Sequence, residues 1–166
     1  AILFMFGIRL GGKTAKLTGL NPSYLIILVA FICGSIGIFL PEILGLGTNE
    51  MNNIFENKYV LLFLLIILLG KILMTSLCIG FGFFGGIFAP ALYVGAAGGG
   101  LIAKVILFFG FSVSLPALAL AGTAAVGAVA IGAPIATTLI ILEFTGSYEF
   151  AVAAMIAVQV LSLIHI

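Results

Sequence analysis

The sequence predicts an all-α, polytopic membrane protein, on grounds of composition and of pattern. Of its 166 residues, 64% are hydrophobic and only 7% are charged, whereas soluble domains carry about 25% charged residues. Its apolar residues form runs close to the roughly 20 residues that a helix needs to cross a bilayer. Glycine and proline interrupt several runs, so we expect four or five full spans, or more segments if some are tilted or stop partway. Residues 1–166 are treated as a single partial membrane domain, truncated at both ends.

Charge and cysteine content exclude other classes. The formal net charge is +1 and the six basic residues form no dense cluster, which excludes nucleic-acid binding. Cys33 and Cys78 lie in apolar runs without CxxC spacing, so they indicate neither a zinc site nor a disulfide framework and are interpreted as small core residues. His165 is the only histidine and cannot form a metal site alone. We expect no metal and no cofactor.

Basic residues are concentrated in the first segment. After an apolar start through Phe6, it carries Arg9, Lys13 and Lys16 with no acidic residue nearby. Because cytoplasmic loops of membrane proteins are enriched in Lys and Arg, we expect a cytoplasmic loop here.

A first span is expected from Pro22 to about Leu40. Asn21 before Pro22 is a favourable helix start, because asparagine caps well and proline in the first turn loses no hydrogen bond. Pro41 ends the span. The stretch 41–58 contains three glutamates and four asparagines, which predicts an outside loop.

A second span is expected from Tyr59 to about Ile79, interrupted by Gly70 and by Lys71 near its middle. A lone lysine at that depth is costly, so it should face the protein interior or a wet cavity, or snorkel. We favour a structural partnership with a carbonyl or an acid over a role as an ion ligand.

The further helical segments expected are Ala89 to Phe109, Leu115 to Ile131, 134–146 and 147–166. The segment 134–146 is short for a full crossing, which indicates a half-crossing or strongly tilted helix.

The stretch 80–100 is rich in glycine at what should still be membrane depth. The pairs Gly82 with Gly86 and Gly95 with Gly99 have the small-residue spacing that suits helix contacts. Glycine also favours broken helices, and non-helical backbone within a bilayer is tolerated only where it is buried in protein or lines a cavity. This stretch is therefore the first functional signal in the chain.

Within it, the sequence GGIFAP is suited to open a helix inside the membrane. The first N–H groups of a helix are unpaired and carry a partial positive charge, which attracts anions without holding them as tightly as a full charge. The amides of Ile87 and Phe88 are the leading donors, and the Phe88 ring either presents its positive edge or excludes lipid. A tight turn between packed helices is the alternative interpretation. The candidate anion-binding residues are Gly85, Gly86, Ile87, Phe88, Ala89 and Pro90.

Three stretches, in one collinear order, resemble the CLC family of chloride channels and chloride/proton antiporters. Residues 70–99 resemble its signature region, and Gly86, Phe88 and Pro90 match its GxFxP motif. Residues 41–47, PEILGLG, resemble an extracellular loop of the family. Residues 118–149 resemble its AGMGA…APLTGIILVLEMT…Y region, with these matching positions: Gly122, Ala133, Pro134, Glu143, Thr145 and Tyr148.

The resemblance implies the second half of an inverted-repeat fold with tilted, partly non-spanning helices. It further implies a multi-pass protein of the plasma (inner) membrane that transports chloride or another small anion. The partners implied are the lipid bilayer, the missing N-terminal half of the same chain, and a second copy in a homodimer formed through the last two helical segments. The family's central serine and gating glutamate belong to the absent half. Phe84 and Ala91 depart from common family residues, which makes the rim of the site less polar.

Two other classes of function were weighed. A broken-helix secondary transporter of another substrate is the alternative, although cation carriers usually place carboxylates at the site and this stretch has none. A membrane enzyme is disfavoured because HExxH, GxSxG and paired acids are lacking. Glu143 lies near the end of a predicted helix, where a local pairing role is favoured over proton carriage.

Overall fold

The computed structural model describes residues 1–83, 85–146 and 148–164, leaving out the side chains of residues 144, 145 and 161–164. This described part consists of helices joined by short connections and contains no strand, which confirms the all-α prediction. The elements in chain order are α1 (Ile2–Leu17), α2 (Pro22–Phe39), a 3-10 turn (Pro41–Ile43), α3 (Thr48–Phe55), α4 (Leu61–Gly80), α5 (Phe88–Phe108), α6 (Leu115–Ile131), α7 (Pro134–Thr145) and α8 (Tyr148–Ile164).

Proline and glycine set most helix boundaries. Pro22 and Pro134 each stand in the first turn of their helix, where a missing N–H costs nothing. Gly132 ends α6 and Gly146 ends α7, both with left-handed backbone that glycine adopts without strain. The predicted starts at Pro22, Leu115 and Pro134 are confirmed.

Three helices, α2, α4 and α5, are long and apolar enough to cross a membrane. Helix α7 has 12 residues and therefore rises only about 18 Å, less than the roughly 30 Å of a hydrocarbon core. The prediction of one short helical segment in this position is confirmed.

Two predicted loops contain helix. The basic stretch forms the second half of α1, which runs unbroken through Arg9, Lys13 and Lys16. The prediction of a loop at these residues is therefore wrong, because they are helical. The lysines and the arginine are exposed, while α1 buries Phe4 and Gly11 instead. Charge density indicated a loop, but a helix accommodates charges on one face and apolar contacts on the other.

The polar stretch 41–58 likewise contains the 3-10 turn and helix α3. Ile54 of α3 is almost fully buried against the main core. Ile43 is buried in the same core, and Met51 and Phe55 pack against it. These apolar contacts hold the segment on the protein, although its average composition is that of an exposed loop.

Helices α5 and α6 approach each other through glycine. A Cβ added at Gly95 would collide with the backbone of Gly122, and one added at Gly99 would collide with Leu118. The contact predicted from the Gly95 and Gly99 spacing is therefore confirmed.

The other glycine pair was interpreted wrongly. Gly82 and Gly86 lie outside any helix, in the connection between α4 and α5, and no neighbouring atom lies within contact distance of a Cβ built at Gly86. Their spacing is that of a helix contact, but the backbone there is not helical.

The Tyr93 side chain is fully buried and joins α5 to the segment before α3. Its hydroxyl donates to the Glu42 carbonyl oxygen at 3.1 Å. Its ring lies against Gly47, whose left-handed φ of 75° and lack of a Cβ allow this approach. The polar segment is thus attached directly to the helix that begins at the candidate site.

Candidate functional site

Helix α5 begins within the predicted GGIFAP sequence. Its first helical residue is Phe88, Ile87 is the N-cap, and the first helical hydrogen bond runs from the Ala91 N–H to the Ile87 carbonyl at 3.0 Å. Among the residues that the structure describes, no group accepts from the N–H of Ile87, Phe88 or Ala89. Pro90 has no N–H, so three backbone donors remain at the helix tip.

The six candidate residues lie together, but their exposure differs. Gly85 and Gly86 are exposed, and Ile87 through Pro90 are half-buried. The Ile87 side chain packs against a buried cluster that includes Phe4, Ile72 and Val94. The start of α5 therefore packs against the protein through Ile87. Its first backbone N–H groups have no hydrogen-bond acceptor among the described residues.

The Phe88 ring packs against α6. A Cβ built at Gly127 would lie 3.7 Å from the Cε2 atom of this ring, so the ring edge faces a helix backbone. This contact tests neither of the two roles proposed for the Phe88 ring, contact with the ion or exclusion of lipid, and both stay predictions.

A cavity of about 270 Å³ adjoins the tip. Its wall includes Gly85, Gly86 and Pro90 from the tip and Lys71 and Thr75 from α4. Backbone and polar side chains are thus brought to one concave surface beside the first turn of α5. This cavity is large enough for a small hydrated ion.

Lys71 is buried and its charge is directed at the backbone. The Nζ atom donates to the carbonyl oxygens of Gly45 at 2.7 Å and Ile43 at 2.9 Å. It also lies 4.8 Å from the centre of the Tyr93 ring, which adds a cation–π contact. The predicted structural partnership with carbonyl groups is confirmed.

Other singled-out residues have different outcomes. Glu143 is exposed, and the described residues give it neither an ion pair nor a hydrogen bond, so its pairing role stays a prediction. Ala91 is fully buried behind the tip and does not form its rim. Phe84 and His165 lie outside the described residues.

One association was missed by sequence reasoning. The Sγ atoms of Cys33 and Cys78 lie 3.3 Å apart, and both side chains are half-buried and line the cavity beside the tip. The two residues are 45 positions apart on different helices, so no local spacing could have indicated the contact.

Taken together, the fold and the site define an α-helical integral membrane protein in which one helix begins next to a cavity that Gly85, Gly86 and Pro90 help to line. Chain interruptions of this kind belong to proteins that handle ions or solutes within the membrane.

The chain belongs to the family described as voltage gated chloride channel, whose sequence pattern matches residues 1–164. It is similar to the H(+)/Cl(-) exchange transporter ClcA of Vibrio cholerae serotype O1 strain O395, at 37% identity over 119 residues, which cover 70% of this chain and 25% of the relative. The ClcA proteins of Vibrio vulnificus strain YJ016 and Salmonella agona strain SL483 are each 32% identical over 120 residues, covering 70% and 71% of this chain and 26% and 25% of the relatives. The chain thus matches about a quarter of the length of these relatives.

Proposed function

We propose that the complete protein transports chloride, or another small anion, across the plasma (inner) membrane, as a channel or as a chloride/proton antiporter. The backbone amides of Ile87 and Phe88, at the start of α5, hold the ion. Membership of the family supports chloride as the substrate, and the names of the relatives favour exchange for protons. The function is transport and not catalysis.

The observation that carries the proposal is the interruption between α4 and α5. Helix α4 ends at Gly80 and α5 begins at Phe88, so the amides of Ile87 and Phe88 precede the first helical hydrogen bond. An anion leaving water must replace the donors of its hydration shell. A helix start provides N–H groups and the positive end of the helix dipole, without a full charge in contact with the ion.

The position of Lys71 supports weak binding that permits release. Its ammonium group hydrogen-bonds two carbonyl oxygens, so its charge is partly neutralised by backbone while it still lines the cavity. An anion there is attracted by a nearby positive charge without forming a direct ion pair. Conduction requires binding that is favourable yet readily reversed.

The site is completed by parts of the protein outside this chain. Gly85 and Gly86 are exposed here, and we propose that the N-terminal half of the same protein covers them and closes the pathway. We also propose a homodimer formed through α7 and α8. Apolar side chains at helical spacing are exposed on α8, namely Val152, Ile156 and Val160.

The test removes one backbone donor from the full-length protein. In Ile87→Pro the N–H is absent, and the φ of −80° at this position lies within the range of proline. Loss of a hydrogen bond to a charged group costs about 1.5–3 kcal/mol, which weakens anion binding by roughly 10-fold to more than 100-fold. Chloride efflux from proteoliposomes is expected to fall, together with chloride affinity measured by calorimetry.

The matched control is Ile87→Val, which keeps the N–H and nearly the same packing. It should transport chloride at a rate close to that of the wild type. Equal chloride affinity in Ile87→Pro and Ile87→Val would contradict the amide site. Flux of cations without flux of chloride in the wild-type protein would instead favour a broken-helix carrier of another substrate.

A further inference from the structure

Three sulfur atoms converge between α2 and α4. The Cys33 Sγ atom lies 3.3 Å from the Cys78 Sγ atom and 3.6 Å from the Met74 Sδ atom. Met74 and Cys78 are four residues apart on α4 and therefore share one face of that helix. Cys33 reaches them from α2, so the cluster depends on the tertiary fold and not on a local motif.

We propose that Cys33, Met74 and Cys78 form a binding site for a soft monovalent cation of the Cu(I) type. Thiolate and thioether sulfurs are the ligands that select such ions. Harder ions are disfavoured, because they prefer oxygen ligands and these three side chains offer only sulfur. The proposed copper site shares the cavity beside α5, and Lys71, with the proposed chloride site. It rests on other residues, and its test does not measure chloride transport.

The geometry requires only a small adjustment. Three sulfurs placed around a metal at about 2.3 Å in a trigonal plane lie roughly 4 Å from one another. The separations of Cys33 Sγ from Cys78 Sγ, 3.3 Å, and from Met74 Sδ, 3.6 Å, must therefore each increase by less than about 1 Å. All three side chains line the same cavity of about 270 Å³, which provides space for rotation of the cysteine side chains.

The charge balance is also favourable. Binding of one Cu(I) displaces one proton from each thiol and releases both to solvent, which leaves two thiolates, one metal cation and a net charge of −1. Lys71 lines the same cavity and supplies a compensating positive charge. A buried charge is tolerated when an opposite charge is close to it.

The experiment measures Cu(I) uptake by the full-length, reduced protein in competition with a Cu(I)-specific chelator. We expect the wild-type protein to bind one copper ion per protomer, and we expect this binding to require Cys33, Met74 and Cys78. Cys33→Ser and Cys78→Ser should each weaken that binding by more than about 100-fold, because changes even to partners behind the ligands cost about 10-fold to 100-fold. Met74→Leu should weaken it less. Met51→Leu is the control, since Met51 lies on α3 and does not line the cavity that holds the three sulfurs, and should leave binding unchanged.

X-ray absorption of the copper-loaded wild-type protein gives a second measurement that does not depend on variants. Two or three sulfur neighbours at about 2.3 Å are expected. Uptake that is equal in the wild type and both cysteine variants would overturn the proposal. So would a copper ion surrounded only by nitrogen and oxygen, or a reduced wild-type protein, with both thiols free, that retains no copper.

Discussion

At the scale of single residues, Lys71 shows how a buried charge is accommodated in an apolar helix. It stands in the middle of α4 and is only 3% exposed, yet its Nζ atom has carbonyl partners at 2.7 and 2.9 Å. A charge is tolerated at such a position only when hydrogen bonds replace its hydration. The residue thereby connects α4 to the segment that follows α2.

Replacing Lys71 by methionine tests this role. Lys71→Met keeps the length of the side chain but leaves the Ile43 and Gly45 carbonyls without this donor, at a net cost of about 1–3 kcal/mol. Thermal unfolding of the full-length protein in detergent should show the loss as a lower Tm. Lys13→Met, at an exposed position on α1 with no hydrogen bond or ion pair from its side chain to another described residue, should stay within about 0.5 kcal/mol of the wild type. Equal destabilisation by both changes would contradict the structural role of Lys71.

The environment of a single residue could be predicted where its chemistry differs from that of its neighbours in the sequence. Lys71 is a charge within an apolar run, and the high cost of exposing it to lipid restricts where it can point. Cys33 and Cys78 suit their apolar runs, so neither position indicates a partner. The contact between their Sγ atoms depends on how α2 packs against α4. No sequence pattern carries that information.

At the scale of elements, the glycines of α5 allow it to approach α6. Gly95→Ala places a methyl group where the backbone of Gly122 already lies, and overpacking of this kind costs about 1–3 kcal/mol. We expect a lower Tm for the full-length Gly95→Ala protein in detergent.

The matched control is Gly98→Ala on the same helix, because a Cβ built at Gly98 meets no atom within contact distance. Alanine has the better helix propensity, so this variant should be as stable as the wild type or slightly more stable. If Gly98→Ala lowered the Tm as much as Gly95→Ala, the close approach of the two helices would not be the cause.

Helix boundaries could be predicted where proline or glycine marks them. Helix α6 runs from Leu115 to Ile131 and α7 begins at Pro134, as the sequence indicates. Helix α3 was missed because its eight residues are mostly polar, while its apolar residues Met51, Ile54 and Phe55 pack against the main core. A helix that is stabilised by tertiary contacts leaves a weak local signal.

At the scale of the whole molecule, α8 presents apolar side chains on the surface of the chain. Val152, Ile156 and Val160 are each more than half exposed and recur every four residues along one face. Such a stripe suits packing against a second copy, in line with the proposed homodimer.

A bulky substitution on this stripe tests the assembly. Ile156→Trp should shift the full-length protein from dimer towards monomer, measured as the protein mass by light scattering in detergent. Ile27→Trp on α2, where the native side chain is similarly exposed, is the control and should leave the mass unchanged. A stable dimer in Ile156→Trp would place the interface elsewhere. A dimer lost in both variants would indicate general destabilisation.

The attachment of the segment 41–47 to Tyr93 and Lys71 has a consequence for local opening. The segment belongs to the stretch 41–58, whose composition is that of a loop in water, and such loops usually exchange their amide hydrogens rapidly. Here its carbonyl oxygens are held by side chains from α4 and α5, and Gly47 covers a buried ring. Release of the segment therefore requires that these contacts break. We expect the amides of Ile43 and Leu44, which donate to the carbonyls of Leu40 and Pro41, to exchange more slowly than those of an unattached loop.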